Sequence, residues 1–290
     1  MFLRLGIHTS VAGSLEKAAL KAAALGANTF QIFSASPRMW RARSPDPAQV
    51  KLLRAARDRF DLHPLAVHVN YLVNLASADP RIRAQSIRAF RGELERAAAI
   101  GAEYLVLHPG SYKGRSLDEG IEGFVAALRD AGQGFRFRKV TVLLESTAGS
   151  GSSIGSRFEE LHSIRELAGG LTDLAIGYCL DTCHLLAAGF DIATLAGLRS
   201  TVRSADAVLG LKHVHVIHAN DSKAPLGSRV DRHAGIGDGH IGLAAFRRIL
   251  THPGLRGKPF ILETPVKKPG DDRRNLDVLK SLAARRHGRA

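Results

Sequence analysis

Six consecutive aliphatic runs in this chain close on an ionisable residue, and that regularity constrains the fold more than any other feature. The closing residues are His68, His108, Glu145, Asp181, His218 and Glu263. They sit in a longer series of strand-like segments: Leu3 to His8, Thr29 to Phe33, Leu65 to Val69, Tyr104 to His108, Val140 to Glu145, Ala175 to Asp181, His213 to His218 and Pro259 to Glu263. Ala-rich helical stretches separate them. Ser14 can cap a helix with Leu15, Ala19 and Ala22 on one face and Gly26 beyond its end. Asp79-Pro80 opens another with Phe90, Leu94, Ala97 and Ala98 at helical spacing, stopping at Gly101. Further helices are expected over about 46–60, 118–131, 157–168, 191–208, 242–251 and 272–286. Strand then helix, repeated eight times with no linker or composition shift, predicts one closed (β/α)8 TIM barrel over residues 1–290, with a disordered basic tail at about 284–290. An open doubly wound sheet is the competing architecture. It would usually carry G-x-G-x-x-G after its first strand, and His8-Thr-Ser-Val-Ala-Gly-Ser14 does not.

In such a barrel the chemistry gathers at the C-terminal ends of the strands, so the six closing residues should converge on one mouth. One strand-end His or Asp is commonly a cap or a loop hydrogen bond; six in succession are hard to explain that way. His184 follows Asp181 by three residues, in the turn toward the next helix, and Asp231-Arg-His233 points two groups the same way if extended. The set then holds nine candidate ligands: five His, two Asp and two Glu. Imidazole with carboxylate suits Zn, and also Mn or Fe, and nine groups exceed the needs of one ion, so two or three are expected. The two cysteines, Cys179 and Cys183, match neither a C-x-x-C redox pair nor a zinc knuckle and are read as packing residues.

At this point the stretches His68-Val-Asn-Tyr-Leu-Val-Asn-Leu75, Leu105-Val-Leu-His-Pro-Gly110, Leu144-Glu-Ser-Thr-Ala-Gly-Ser-Gly151 and Cys179-Leu-Asp-Thr-Cys-His184 become informative together. With His218-Ala-Asn-Asp-Ser-Lys223, Gly227-Ser-Arg-Val-Asp-Arg-His233 and Ile261-Leu-Glu-Thr-Pro265, they resemble the endonuclease IV family of apurinic/apyrimidinic (AP) endonucleases, in the family's order over nearly the whole chain. The resemblance implies a (β/α)8 barrel with three Zn2+ that hydrolyses duplex DNA 5′ to abasic sites in base excision repair, leaving 3′-hydroxyl and 5′-deoxyribose phosphate ends. By that resemblance His68, His108 and Glu145 would hold the first zinc. Glu145 would bridge to a second zinc, position the attacking hydroxide, and share that ion with Asp181, His218 and Glu263. His184, Asp231 and His233 would hold the third. Departures fall only beside the ligands, at Val69-Asn70, Ser146 and Ala234, and bear on the hydrogen bonds that support them.

The resemblance also assigns Arg38, Tyr71 and Leu72 to DNA binding, as side chains that wedge into the duplex where a base is missing. Trp40 is expected to pack, whereas Lys113, Arg115, Lys223, Arg229 and Arg232 could reach phosphates. A net charge of +14, from 41 Lys plus Arg against 27 Asp plus Glu, fits a polyanionic partner, although Arg-rich composition alone accounts for it equally well. Damaged double-stranded DNA is the expected partner of a monomer. With no leader, no membrane span and no disulfide framework, the expected place is the cytoplasm, on the nucleoid. Sugar isomerases resembling the xylose isomerase barrel would account for Glu145, Asp181, His218 and Glu263, but not for a third ligand set or wedge loops. A catalytically silent DNA-binding protein would have no use for nine ligands.

Overall fold

The computed structural model describes residues 3–135 and 140–284, so all of the basic tail except Ala284 lies outside the described residues. Seven strands appear in turn as β1 (Leu5–His8), β2 (Thr29–Phe33), β3 (Leu65–His68), β4 (Tyr104–Leu107), β5 (Thr141–Glu145), β6 (Ile176–Asp181) and β7 (Val214–His218). A small antiparallel ribbon of β8 (Asp221–Ser222) and β9 (His233–Ala234) follows, and then β10 (Phe260–Leu262). Strands β1 to β7 and β10 are parallel to their neighbours and close into a barrel, with β10 between β7 and β1. The (β/α)8 expectation therefore holds, and the open sheet is excluded.

Around it lie α1 (Leu15–Ala24), α2 (Pro47–Arg59), α3 (Pro80–Ile100), α4 (Leu117–Gly132), α5 (Phe158–Gly169), α6 (Thr182–Ala188), α7 (Leu195–Leu209), α8 (Gly242–Thr251) and α9 (Asp271–Ala283). The expected caps are in place: Ser14 accepts from the Lys17 amide, and Asp79 from the amides of Arg81 and Ile82. Gly101, at φ 76°, ends α3 in the left-handed region that glycine enters without penalty. Helix α7 begins at Leu195 rather than near 191, because Asp191 Oδ1 accepts from the amides of Ala193 and Thr194 and holds that segment as a loop. Strands β3 and β4 each stop a residue early, at His68 and Leu107.

Two packed layers position the site. The larger core lies between barrel and helices, with Phe30, Phe90, Phe124, Phe158 and Phe246 fully buried. The smaller one fills the lumen and consists of Ala66, Val106, Leu143, Cys179, Val216 and Ile261. Each of these stands two residues before a strand-end ionisable group, so the two-residue period of a strand sets the six groups in the next layer up, facing inward. Cys179 is thereby one small apolar member of that floor.

Candidate metal centre

Above the floor the ionisable groups meet in overlapping sets whose ligand atoms lie within 4.8 Å of one another: His68, His108 and Glu145; Glu145, Asp181, His218 and Glu263; and His184, Asp231 and His233. Glu145, fully buried, joins the first two. Its Oε2 faces His68 Nε2 at 3.0 Å and His108 Nε2 at 3.1 Å, while its Oε1 faces His218 Nδ1 at 2.9 Å. Two carboxylate oxygens directed at different imidazoles have the geometry of a bridging ligand.

The hydrogen bonds test whether these residues suit a cation. The Nδ1–H of His68 donates to the Val69 carbonyl at 2.7 Å, that of His184 to the Ser146 carbonyl at 2.8 Å and that of His233 to the Glu263 carbonyl at 3.3 Å. Carbonyl oxygens can only accept, so in each neutral ring Nε2 is left bare. Those bare nitrogens face carboxylates: His68 toward Glu145, and His184 toward Asp231 Oδ2 at 3.1 Å. His233 Nε2 is buried without a hydrogen-bond partner among the described residues and lies 3.4 Å from Asp231 Oδ1. His218 is turned the other way, with Nε2–H donating to Gln31 Oε1 at 3.0 Å and Nδ1 facing Glu145 and, at 3.2 Å, Glu263 Oε2. Lone pair against lone pair is repulsive unless a proton or a metal cation stands between. A donor set of imidazole and carboxylate, with its tautomers fixed from behind, fits zinc-type cations.

Electrostatics agrees. Burial alone would raise the Glu145 carboxyl, but His218 and His108 hold it well below the usual carboxylate range. Burial would likewise lower the His184 imidazole, yet Asp181, Asp231 and Glu145 reverse this and push it up to about 10.

Local structure explains how the third set is held. Strand β6 runs into α6 without a turn, and Asp181 is the N-cap of that helix, its Oδ1 accepting from the His184 amide at 2.8 Å. His184 therefore sits on the first turn of a helix rather than in a loop. The helix is missing from the sequence reading because strand and helix share Asp181. The loop carrying Asp231 and His233 is anchored by buried Asp221, which accepts from the amides of Ser222, Gly237, Ile241 and Gly242 at 2.8–3.2 Å. Asp221→Ala would strand these donors and is expected to cost about 3 kcal/mol or more, read by urea unfolding; a loss below about 1 kcal/mol would show that the loop needs no anchor.

Sequence reasoning also passed over Asn220 and Gln31. Asn220 Nδ2 donates to Asp181 Oδ2 at 2.6 Å, and its Oδ1 accepts from the Glu263 amide at 2.8 Å. Gln31 is a polar residue in the middle of the apolar strand Thr-Phe-Gln-Ile-Phe, a signal the sequence does carry. Ser146, noted as a departure, supports two candidates, its carbonyl accepting from His184 and its Oγ from the Asp181 amide at 3.0 Å. Cys183 Sγ also approaches Asp181 and His233. Burial, and then Asp181, push its thiol up to about 12.

A cavity of about 280 Å³ opens over the first and third sets, lined by His68, Tyr71, His108, His184 and Asp231 among others. Tyr71 is 66% exposed at its rim, its ring edge-on to Phe33 at 5.6 Å. Leu72 is half-buried, its amide donating to Asn70 Oδ1 at 3.0 Å, and Asn70 in turn donates to buried Glu93. Arg38 is exposed, whereas Trp40 packs on the core. Lys113, Lys223, Arg229 and Arg232 are exposed, and Arg115 is half-buried.

Comparison with known proteins fits this arrangement. The xylose isomerase-like TIM barrel family matches residues 19–282. A probable endonuclease 4 of Solibacter usitatus is 71% identical over 281 residues, 97% of each chain. The crystal structure of endonuclease IV from Thermus thermophilus superposes with a TM-score of 0.84 at 41% identity, over 96% of this chain and 98% of that one. A D-tagatose 3-epimerase-like protein superposes with a TM-score of 0.67 at 20% identity over 97% of each chain, a likeness of fold alone. Identity of 71% along 97% of the chain, on a barrel of the same family, establishes that this chain belongs to the endonuclease IV family of nucleases.

Proposed function

We propose that the protein is a zinc-dependent endonuclease of base excision repair that hydrolyses the phosphodiester 5′ to abasic sites in duplex DNA, leaving 3′-hydroxyl and 5′-deoxyribose phosphate ends. The observation that carries this reading is the meeting of nine imidazole and carboxylate groups at one mouth, with bare ring nitrogens directed inward. Membership of the endonuclease IV family supports it. Three Zn2+ would supply Lewis acidity and a nucleophile at neutral pH, a chemistry suited to phosphodiester hydrolysis.

The residues divide the remaining work. His68, His108 and Glu145 would hold one ion, Glu145 with Asp181, His218 and Glu263 a second, and His184, Asp231 and His233 a third. Glu145, whose two oxygens face His68 and His218, would be the residue common to the first two sets. Asp181, as the cap of α6, ties the second set to His184 of the third. A sugar isomerase needs the second set alone, so the other two favour a phosphodiester substrate. No helix among the described residues is long and apolar enough to cross a membrane.

Access requires the target nucleotide to leave the duplex, which is cheapest where there is no base to unstack. Tyr71 and Leu72, on a loop braced through Asn70 and Glu93, would fill the gap, with exposed Arg38 beside them. Tyr71→Ala is expected to weaken binding to an abasic duplex about tenfold, the worth of one stacking contact, and to change binding to intact duplex by less than about threefold. Fluorescence anisotropy with both duplexes checks this; unchanged affinity for the abasic duplex would remove Tyr71 from the interface. The function itself is tested by nicking of a duplex bearing one abasic site after zinc reconstitution without added Mg2+. Absence of a nick there would overturn the reading.

A further inference from the structure

We propose that Gln31 is a positioning residue that decides which nitrogen His218 offers to the metal centre. The inference rests on the reading of that centre given above. Gln31 belongs to β2, which supplies none of the nine candidate ligands, and it is fully buried. Its register partner on β3 is Ala66, a member of the apolar lumen floor. The floor carries an amide on this side, and that amide reaches two ligand candidates at once. Gln31 Oε1 accepts from His218 Nε2 at 3.0 Å, and Gln31 Nε2 donates to Glu263 Oε1 at 2.6 Å. The same Nε2 lies 3.1 Å from His8 Nδ1.

The amide cannot be reversed without penalty. Turned end for end, its oxygen would stand against the Glu263 carboxylate at the position that is now 2.6 Å away, acceptor against acceptor. Its NH2 would then face His218 Nε2 and call for a lone pair there, moving the ring proton to Nδ1. That proton would point at Glu145 Oε1 and Glu263 Oε2, 2.9 and 3.2 Å away, where a metal would otherwise bind. Glu263 thus fixes the amide, and the amide fixes the His218 tautomer.

His218 stands apart from His68, His184 and His233 on this point. His68, His184 and His233 are held at Nδ1 by backbone carbonyls, which no substitution removes, and present Nε2. His218 presents Nδ1 and depends on a side chain from another strand, 187 residues away. Gln31 is therefore a point at which one ligand can be mis-set while the ligand itself is retained. The expected consequence is confined to the set formed by Glu145, Asp181, His218 and Glu263.

The test compares zinc-loaded wild type with Gln31→Met, of similar shape but unable to accept or donate, and Gln31→Glu, which sets an oxygen against Glu263 but keeps an acceptor for His218 in either orientation and so isolates the tautomer. Two readouts are used besides thermal unfolding: zinc release to a chromogenic chelator, and long-range 1H–15N correlation spectra that report the imidazole tautomers. In Gln31→Met, one zinc is expected to weaken by about 10–100-fold, the others to hold, and His218 to lose its single Nδ1-bound form. Gln31→Glu is expected to retain that form. Wild-type zinc affinity with an unchanged His218 spectrum in Gln31→Met overturns the inference. So does equal weakening of every zinc with the tautomer intact, the signature of a purely structural role, and so does loss of the tautomer in Gln31→Glu. Failure of the wild type to take up zinc would instead overturn the reading of the centre, so the two failures are distinguishable.

Discussion

Glu145→Gln is expected to slow cleavage of an abasic duplex by roughly 10³-fold while leaving affinity for that duplex within about threefold of wild type. The carboxylate is fully buried, and each of its oxygens faces a different part of the cluster. An amide of the same shape retains one oxygen but turns toward the other set an NH2, which has no lone pair to offer a cation, so the first two sets lose their common ligand. Removing a negative charge gives no reason for weaker binding to polyanionic DNA. Single-turnover nicking, with binding measured separately by anisotropy, distinguishes the two effects. A near-wild-type rate would mean that Glu145 is not at the centre of the chemistry.

Metal removal should have the broader effect. Exhaustive chelation is expected to withdraw about three zinc ions per chain, abolish nicking, and lower the melting temperature by roughly 8–16 °C. This counts about 4 kcal/mol of linkage for a single ion whose free concentration exceeds its Kd a thousandfold, and is therefore the floor for three. Without a cation, Glu145, Asp181 and Glu263 crowd together, and the only compensation is from the His68, His184 and His218 imidazoles, which these carboxylates hold above their ordinary range. Elemental analysis combined with calorimetry checks this. A stoichiometry of one ion per chain would favour the chemistry of the sugar isomerases over that of the nuclease.

The six strand ends were legible because strand periodicity is local: each ionisable residue stands two places after an apolar one, and both must face inward. Helix caps such as Ser14 and Asp79 were legible for the same reason, since cap and amide lie within three residues. The packing role read for Cys179 was legible too, since it stands in the lumen floor at the same two-residue period. Less was legible where one residue serves two elements, as Asp181 does in ending β6 and capping α6, or where a two-residue ribbon is too short to leave a pattern.

Residue types and their order along the chain therefore determined the barrel, the mouth and the candidate ligands. The tertiary structure alone decided how those ligands are held. The tautomer of each imidazole depends on what lies behind its second nitrogen, and for His184 and His218 that is Ser146 and Gln31, brought from 38 and 187 residues away by closure of the barrel. Local sequence carries no record of such distances, because they exist only once strands far apart in the chain have become neighbours around one lumen.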